Sequence, residues 1–328
     1  MGDMKINTTS GLSFEGGVNR SILEAALENG IHFEYSCKTG QCGVCKSSLL
    51  EGDVVELQSQ VALTNADVLT GKILTCCCAP KSDVLIDAED LSALKDIEVK
   101  TLPARINQIV RQSEHIIEIN LRLPPTANLR FLEGQYIDVI GPSGIRRSYS
   151  IGNCVDEKVM KLYIKKLDNG VMSEYWFNEA KENDLLRIEG PKGSFFLRDL
   201  NKHIVFLATG TGIAPVKSIL DMLERRENLP ENMTFSLYWG NRYKDDFFWC
   251  PNYDRIKLKY VPVLSRVHPS WQGRFGYIQD AMIEDGVSVE DCQFYACGSL
   301  QMIESVHQLL LAHGMSEKHF HSDAFVNS

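Results

Sequence analysis

Cys37, Cys42 and Cys45 stand in the order C-x4-C-x2-C, and a run of three further cysteines, Cys76, Cys77 and Cys78, follows. This is the plant-type ligand spacing of a [2Fe-2S] cluster. Two irons and two sulfides need four converging thiolates. Lys38, Thr39, Gly40, Gln41, Gly43 and Val44 supply a loop short enough to wrap three sides, and Gly40 and Gly43 let backbone approach the sulfides without a Cβ in the way. A zinc site is disfavoured, because it calls for paired C-x2-C knuckles or histidines and only one such knuckle is present. The first part of the chain must therefore present three cysteines from one loop and a fourth from residues 76–78, where only one is needed.

A chain of 328 residues is too long for one small module and suits two or three domains. Its 44% hydrophobic and 23% charged content is that of an ordinary globular protein. No apolar run reaches membrane-spanning length, and Met1-Gly2-Asp3-Met4-Lys5 lacks the basic and apolar regions of a signal peptide, so a cytoplasmic protein is expected. Ten cysteines without an obvious disulfide framework fit a reducing compartment, with Cys154, Cys250 and Cys292 read as small buried apolar residues. Of the net charge of -9, residues 1–92 carry 6 − 13 = -7. That balance disfavours nucleic-acid binding and offers an acidic face to a basic protein partner.

The pattern divides the chain into 1–92, a linker 93–102, then 103–200 and 201–328. In the first segment a hairpin over Lys5–Phe14 precedes a helix opened by the capping box Ser21-Ile22-Leu23-Glu24 and stopped at Gly30. Strands over Lys46–Leu50 and Asp83–Asp87 complete a small α+β unit. From Ala104 short alternating strands (116–121, 136–140, 161–165) between Gly and Pro turns predict a small antiparallel barrel. After Asn201 apolar strands alternate with helical stretches, which predicts a parallel sheet with helices on both faces.

Chemistry in the second and third segments sits in short motifs. Arg147-Ser148-Tyr149-Ser150 ends a strand and is accompanied by Gly170-Val171-Met172-Ser173 and Gly190-Pro191-Lys192-Gly193-Ser194-Phe195. In this combination Arg147 can neutralise a pyrophosphate, Tyr149 can stack on an isoalloxazine and Ser150 can hydrogen-bond a flavin near N5. Backbone N–H groups at 171–173 suit phosphates if a helix starts there. Gly210-Thr211-Gly212-Ile213-Ala214-Pro215 follows an apolar strand and opens a helix, a place for the phosphates of a nicotinamide dinucleotide.

These stretches resemble the ferredoxin–NADP⁺ reductase superfamily, which has the variant glycine motif ending in proline. Tyr238-Trp239-Gly240-Asn241-Arg242 and Tyr295-Ala296-Cys297-Gly298-Ser299 are similar to its other pyridine-nucleotide elements. The resemblance implies that Cys297 and Gly298 border the nicotinamide. Leu74-Thr75-Cys76 with Pro80 resembles the end of plant-type ferredoxin domains, which implies Cys76 as the fourth ligand, with Cys77 and Cys78 left open. The order ferredoxin (β-grasp), flavin barrel, nucleotide domain is that of benzoate-dioxygenase-type reductases. Pieces such as Leu121-Arg122-Leu123-Pro124-Pro125-Thr126-Ala127 and Ser322-Asp323-Ala324-Phe325-Val326 resemble the CDP-6-deoxy-Δ3,4-glucoseen reductase family.

That family implies electron flow from NADH or NADPH through FAD and [2Fe-2S] to a pyridoxamine-phosphate-dependent iron–sulfur dehydrase, in C3 deoxygenation of a CDP-4-keto-6-deoxyhexose. It also implies Ser150, Cys297 and Phe325 at the site of hydride transfer, with Phe325 beside the flavin. Ser265-Arg266, with Arg274 and Tyr277, resembles the 2′-phosphate segment of NADP-dependent relatives, so both nucleotides stay open, as does FMN in place of FAD. Two other functions share these features: the reductase component of an aromatic-ring or alkane oxygenase, and a non-catalytic redox sensor.

Overall fold

The computed structural model describes residues 3–141, 144–155, 157–198, 200, 203–230 and 233–325. Pro142 and Ser143 of the turn before Arg147, and Val326 of the C-terminal stretch, lie outside them. Two compact units result: residues up to Ile97 with Gly193–Phe195, and Glu98–Lys192 with Phe196–Phe325.

In the first unit β1 (Met4–Thr8) and β2 (Ser13–Gly16) form the expected hairpin, followed by α1 (Ile22–Glu28). The helix starts where it does because both halves of the Ser21/Glu24 capping box form. It buries Ile22, Leu23, Ala25 and Ala26 in a core with Ile6, Phe14, Phe33 and Ile86. Next come β3 (Lys46–Glu51), β4 (Val54–Glu56), α2 (Asn65–Leu69), β5 (Lys72–Leu74), β6 (Cys78–Pro80) and β7 (Val84–Asp87). The main sheet has the order β2-β1-β7-β3-β5, with β1 and β7 parallel, and β4 pairs with β6 alone. Within this unit the Ser194 hydroxyl accepts from Tyr35 N–H at 2.8 Å and donates to Tyr35 O at 2.9 Å.

The segment expected to be a linker over 93–102 is shorter and partly structured. Ser92–Leu94 is a 3-10 turn held by buried Leu91 and Leu94, and the next strand already begins at Lys100. The burial of these two leucines outweighs the polar residues around them.

The second unit opens with β8 (Lys100–Arg111), β9 (Ile116–Arg122), β10 (Tyr136–Ile140), β11 (Arg146–Ser150), β12 (Met160–Lys165), α3 (Val171–Glu174) and β13 (Leu185–Lys192). The strands run antiparallel in the order β11-β10-β13-β8-β9-β12, and a bridge between Ile151 and Leu162 draws the two edges together into a barrel. Inward residues Ile106, Ile119, Leu121, Ile137, Val139, Leu162 and Ile188 have no exposed surface.

The nucleotide half contains β14 (His203–Thr209), α4 (Ile213–Arg225), β15 (Phe235–Asn241), β16 (Leu258–Leu264), β17 (Arg274–Phe275), α5 (Ile278–Glu284), β18 (Cys292–Ser299), α6 (Leu300–Ala312) and β19 (Phe320–Phe325). All six strands are parallel, in the order β17-β16-β15-β14-β18-β19. Strand order therefore reverses at β14, and ligands of such sheets bind at the carboxyl ends beside that point. Among the described residues no helix is long and apolar enough to cross a membrane.

Candidate cofactor sites

In the first unit the four cysteine thiols come together as two pairs. Cys45 Sγ lies 3.3 Å from Cys76 Sγ, and Cys37 is hydrogen-bonded to Cys42. Each pair shares a proton: the bond from Cys42 pulls Cys37 down to about 4 while Cys42 rises, and the bond from Cys45 pulls Cys76 down to about 7 while Cys45 rises. Among the described residues no three His, Cys, Asp or Glu side chains group around one metal ion. The two thiol pairs offer one pair to each of two irons.

Backbone donors around these sulfurs suit thiolates. Thr39 N–H donates to Cys37 Sγ, and the backbone amides of Gly40 and Val44 donate to the sulfurs of Cys76 and Cys42. Gly40 is left-handed (φ +75°), and a Cβ there would stand 2.2 Å from Ser59 O. The adjacent cysteines are aimed elsewhere. Cys77 Sγ is hydrogen-bonded to Cys76 Sγ at 3.5 Å and lies 3.7 Å from Ser59 O, and Cys78 is sealed in β6, where burial pushes its thiol up to about 12. Gln58, absent from the sequence reading, braces the loop by donating from Nε2 to Lys38 O and Cys76 O.

Strand alternation splits Arg147-Ser148-Tyr149-Ser150 between two faces. Arg146 and Ser148 point to one, where Arg146 pairs with Glu189 at 2.8 Å and the Ser148 hydroxyl donates to Asp138 at 2.6 Å. Lys192 also reaches Asp138, at 2.7 Å. Arg147 and Tyr149 take the other face, where Trp176 Nε1–H donates to Tyr149 Oη at 2.9 Å and burial pushes the phenol up to about 12. Ser148, expected among the cofactor-binding residues, has its side chain committed to Asp138 and offers a cofactor its backbone. Ser150, at the strand end, is buried and its Oγ has no hydrogen-bond partner.

The expected helix start is present, with Gly170 as the cap of α3. An open hollow of about 630 Å³ is lined by Lys166, Asp168, Asn169, Gly170, Val171 and Ser173. Met172 contributes only backbone, since its side chain is buried and its sulfur lies against Gly141. An orphaned hydroxyl beside a half-buried tyrosine, and a free helix start over an open hollow, fit a flavin nucleotide.

The turn Gly210-Thr211-Gly212 joins β14 to α4, and Trp239 Nε1–H fixes it by donating to Gly210 O at 2.9 Å. The glycines have different causes. A Cβ on Gly212 would meet Cys297 O at 2.3 Å and one on Gly298 would meet Thr209 Oγ1 at 2.2 Å, so both allow the ends of β14 and β18 to cross. Gly210 alone faces open space, with the Lys165 side chain as its nearest neighbour at 3.8 Å. Pro215 is third in α4, where its missing N–H leaves no bond unmade. Cys297 has no exposed surface, and burial, aided by Asp323, keeps its thiol protonated.

Arg242 is exposed just beyond β15. Arg266 lies over the Tyr243 ring, 5.1 Å from its centroid, and donates to Tyr243 Oη at 3.0 Å. Arg274 is tied up by Glu284 and Asp285. Phe325 ends the described part of β19 beside Ser299 and is 38% exposed. Asp246, not singled out from sequence, is fully buried, accepts from Ser113 Oγ at 2.8 Å and lies 3.6 Å from Lys165 Nζ. Its signal was an acid directly before Phe247-Phe248-Trp249, too common a juxtaposition to read alone.

Residues 5–81 match the 2Fe-2S iron-sulfur cluster binding domain, 103–197 the oxidoreductase FAD-binding domain and 206–308 the oxidoreductase NAD-binding domain. The chain is 43% identical over 326 residues to the CDP-6-deoxy-L-threo-D-glycero-4-hexulose-3-dehydrase reductase of Yersinia pseudotuberculosis, covering 97% of each. It is 28% identical over 327 residues to the reductase component 1 of terephthalate 1,2-dioxygenase from Comamonas sp, covering 97% of this chain and 96% of that one. Among solved structures, the Amycolatopsis cytochrome P450 reductase GcoB aligns over 99% of both chains with a TM-score of 0.73 and 26% identity. The chain therefore belongs to the CDP-6-deoxy-L-threo-D-glycero-4-hexulose-3-dehydrase reductase family, as an oxidoreductase with 2Fe-2S, FAD and NAD-binding domains.

Proposed function

We infer that this protein draws electrons from NADH or NADPH and delivers them to a pyridoxamine-phosphate-dependent iron–sulfur dehydrase that removes the C3 oxygen of a CDP-4-keto-6-deoxyhexose. The observation that carries the choice of partner is the 43% end-to-end identity to a dehydrase reductase, against 28% to an oxygenase reductase of the same architecture. FAD supplies the change from a two-electron hydride to single electrons that a cluster can take. The protein's part is to bind and orient. Cys37 and Cys42 hold one iron, and Cys45 and Cys76 the other. Arg147, Tyr149, Ser150 and the amides of 171–173 hold the flavin nucleotide, while Gly210, Thr211, Arg242, Ser265 and Arg266 receive the dinucleotide. Neutral Cys297 and the Phe325 ring border the nicotinamide site. A cytoplasmic setting suits ten free cysteines.

Mixing the purified protein with a candidate dehydrase and its sugar intermediate should couple nucleotide oxidation to loss of the C3 oxygen. Oxidation that proceeds only with an oxygenase component would favour the other reading. The fourth ligand has its own test. Cys76→Ser is expected to abolish the cluster's visible absorbance, and Cys77→Ser and Cys78→Ser to retain it, because only Cys76 faces Cys45. Loss confined to the Cys77 or Cys78 variant would reverse the assignment.

Nucleotide choice rests on Arg266, since Arg274 is already neutralised by two carboxylates. Arg266→Ala is expected to raise KM for NADPH about tenfold, the loss of one exposed charge-assisted contact, and to leave KM for NADH within about twofold. Equal effects on both nucleotides would show that Arg266 does not meet a 2′-phosphate.

A further inference from the structure

Asn241 closes β15, is only 4% exposed, and neither its amide nitrogen nor its side-chain oxygen has a hydrogen-bond partner. A buried polar group left unpaired is destabilising, so such a side chain calls for an occupant that satisfies it. Its backbone is not the source of the deficit, for Asn241 O accepts from both the N–H of Ser265, at 2.9 Å, and the Ser265 hydroxyl, at 3.3 Å. The main chain is fixed and the carboxamide alone is unmatched.

Direction follows from the strand. Gly240 faces Ile278 and Thr209, which would crowd a Cβ at 2.9 and 3.3 Å. Trp239 and Asn241 share the opposite face, the one on which the Trp239 indole holds Gly210 O. Asn241 thus stands at the carboxyl end of β15, beside the strand where sheet order reverses, between the Gly210–Gly212 turn and Ser265–Arg266. An anion is a poor match, because phosphate oxygens only accept and would leave the carboxamide oxygen unpaired. A vicinal diol both donates and accepts, which is what a carboxamide offers in return.

We propose that Asn241 binds the ribose hydroxyls of the adenosine half of the nicotinamide dinucleotide. This rests on the reading of the strand-end crevice as the dinucleotide site and adds to it the residue that recognises the sugar.

The test uses Asn241→Leu in the full-length protein loaded with flavin and cluster, with ADP-ribose as the probe of the adenosine half and reduced nicotinamide mononucleotide as a donor lacking it. The variant is expected to melt no lower than the parent, since an unsatisfied amide has been replaced by an apolar group of similar size. Its Kd for ADP-ribose and KM for NADH should both rise about tenfold with kcat unchanged, while reduction by the mononucleotide stays the same. Unaltered ADP-ribose binding in a variant whose parent shows ADP-ribose competing with NADH would remove the proposal and spare the site. Failure of ADP-ribose to compete in the parent would remove the site reading and the proposal with it. Equal losses with ADP-ribose and with the mononucleotide, in both Asn241→Leu and Asn241→Ser, would make Asn241 a packing residue and overturn the assignment.

Discussion

Gly40→Ala is expected to strip the cluster from the protein while the flavin remains reducible by NADH. The added Cβ would sit 2.2 Å from Ser59 O and 2.8 Å from Cys77 Sγ, and the first of these is backbone that cannot swing aside. The φ of +75° adds roughly 1–2 kcal/mol for any residue with a Cβ. Gly40 cannot shift cheaply, because its N–H is bound to Cys76 and its carbonyl accepts from Ala62 N–H at 2.9 Å. Relief of the clash must break one of these bonds, so a loss above about 4 kcal/mol from the first unit is expected. Gly43→Ala is the control: it has similar φ, +74°, but its Cβ would only touch Ala62 at 3.4 Å, for a cost near 1 kcal/mol. Iron content and visible absorbance should fall in the first variant and persist in the second, with NADH–ferricyanide turnover kept in both. A Gly40→Ala protein with full iron content and unchanged melting would show that the loop is looser than these contacts imply.

How much could be read beforehand depended on whether a residue's environment is local. The α1 start was legible because Ser21 and Glu24 satisfy each other across three residues, and the glycine turn after β14 because its neighbours in sequence are its neighbours in space. Among Cys76, Cys77 and Cys78 the choice was not legible from spacing. It depends on which thiol the turn brings to Cys45 and which to Ser59 O, and three adjacent identical residues carry no record of that. The environment of the Ser148 side chain was not legible for a related reason: a strand shows alternate residues of a four-residue motif to opposite sides, and Asp138 stands on one of them. Gly212 was read as room for phosphates and Gly298 as a border of the nicotinamide; packing gives each a further reason to be glycine, since a Cβ would strike Cys297 O or Thr209 Oγ1 from another strand. What sets Asn241 apart within its motif, and Asp246 before its aromatic run, is burial, which sequence neighbours do not disclose.

Ser150→Ala separates a structural hydroxyl from a functional one, because the two roles predict changes of opposite sign. Ser150 is 6% exposed, pairs across the sheet with Tyr136, and leaves Oγ without any partner in the protein. If the hydroxyl served the fold, its removal would lower stability. Here removal relieves an unmet buried group, and the melting temperature should stay level or rise by the equivalent of about 1 kcal/mol. In the proposed function the Ser150 hydroxyl meets the reacting end of the flavin, one pre-placed hydrogen-bonding group at the point where charge changes, and loss of one such group costs about 100- to 1000-fold in rate. Flavin reduction by NADH, followed in a single turnover, should slow by that order, with Kd for NADH and the amount of bound FAD both unchanged. A variant less stable than its parent yet equally fast would return Ser150 to the barrel wall. It would also leave the reacting end of the flavin to be sought away from the end of β11.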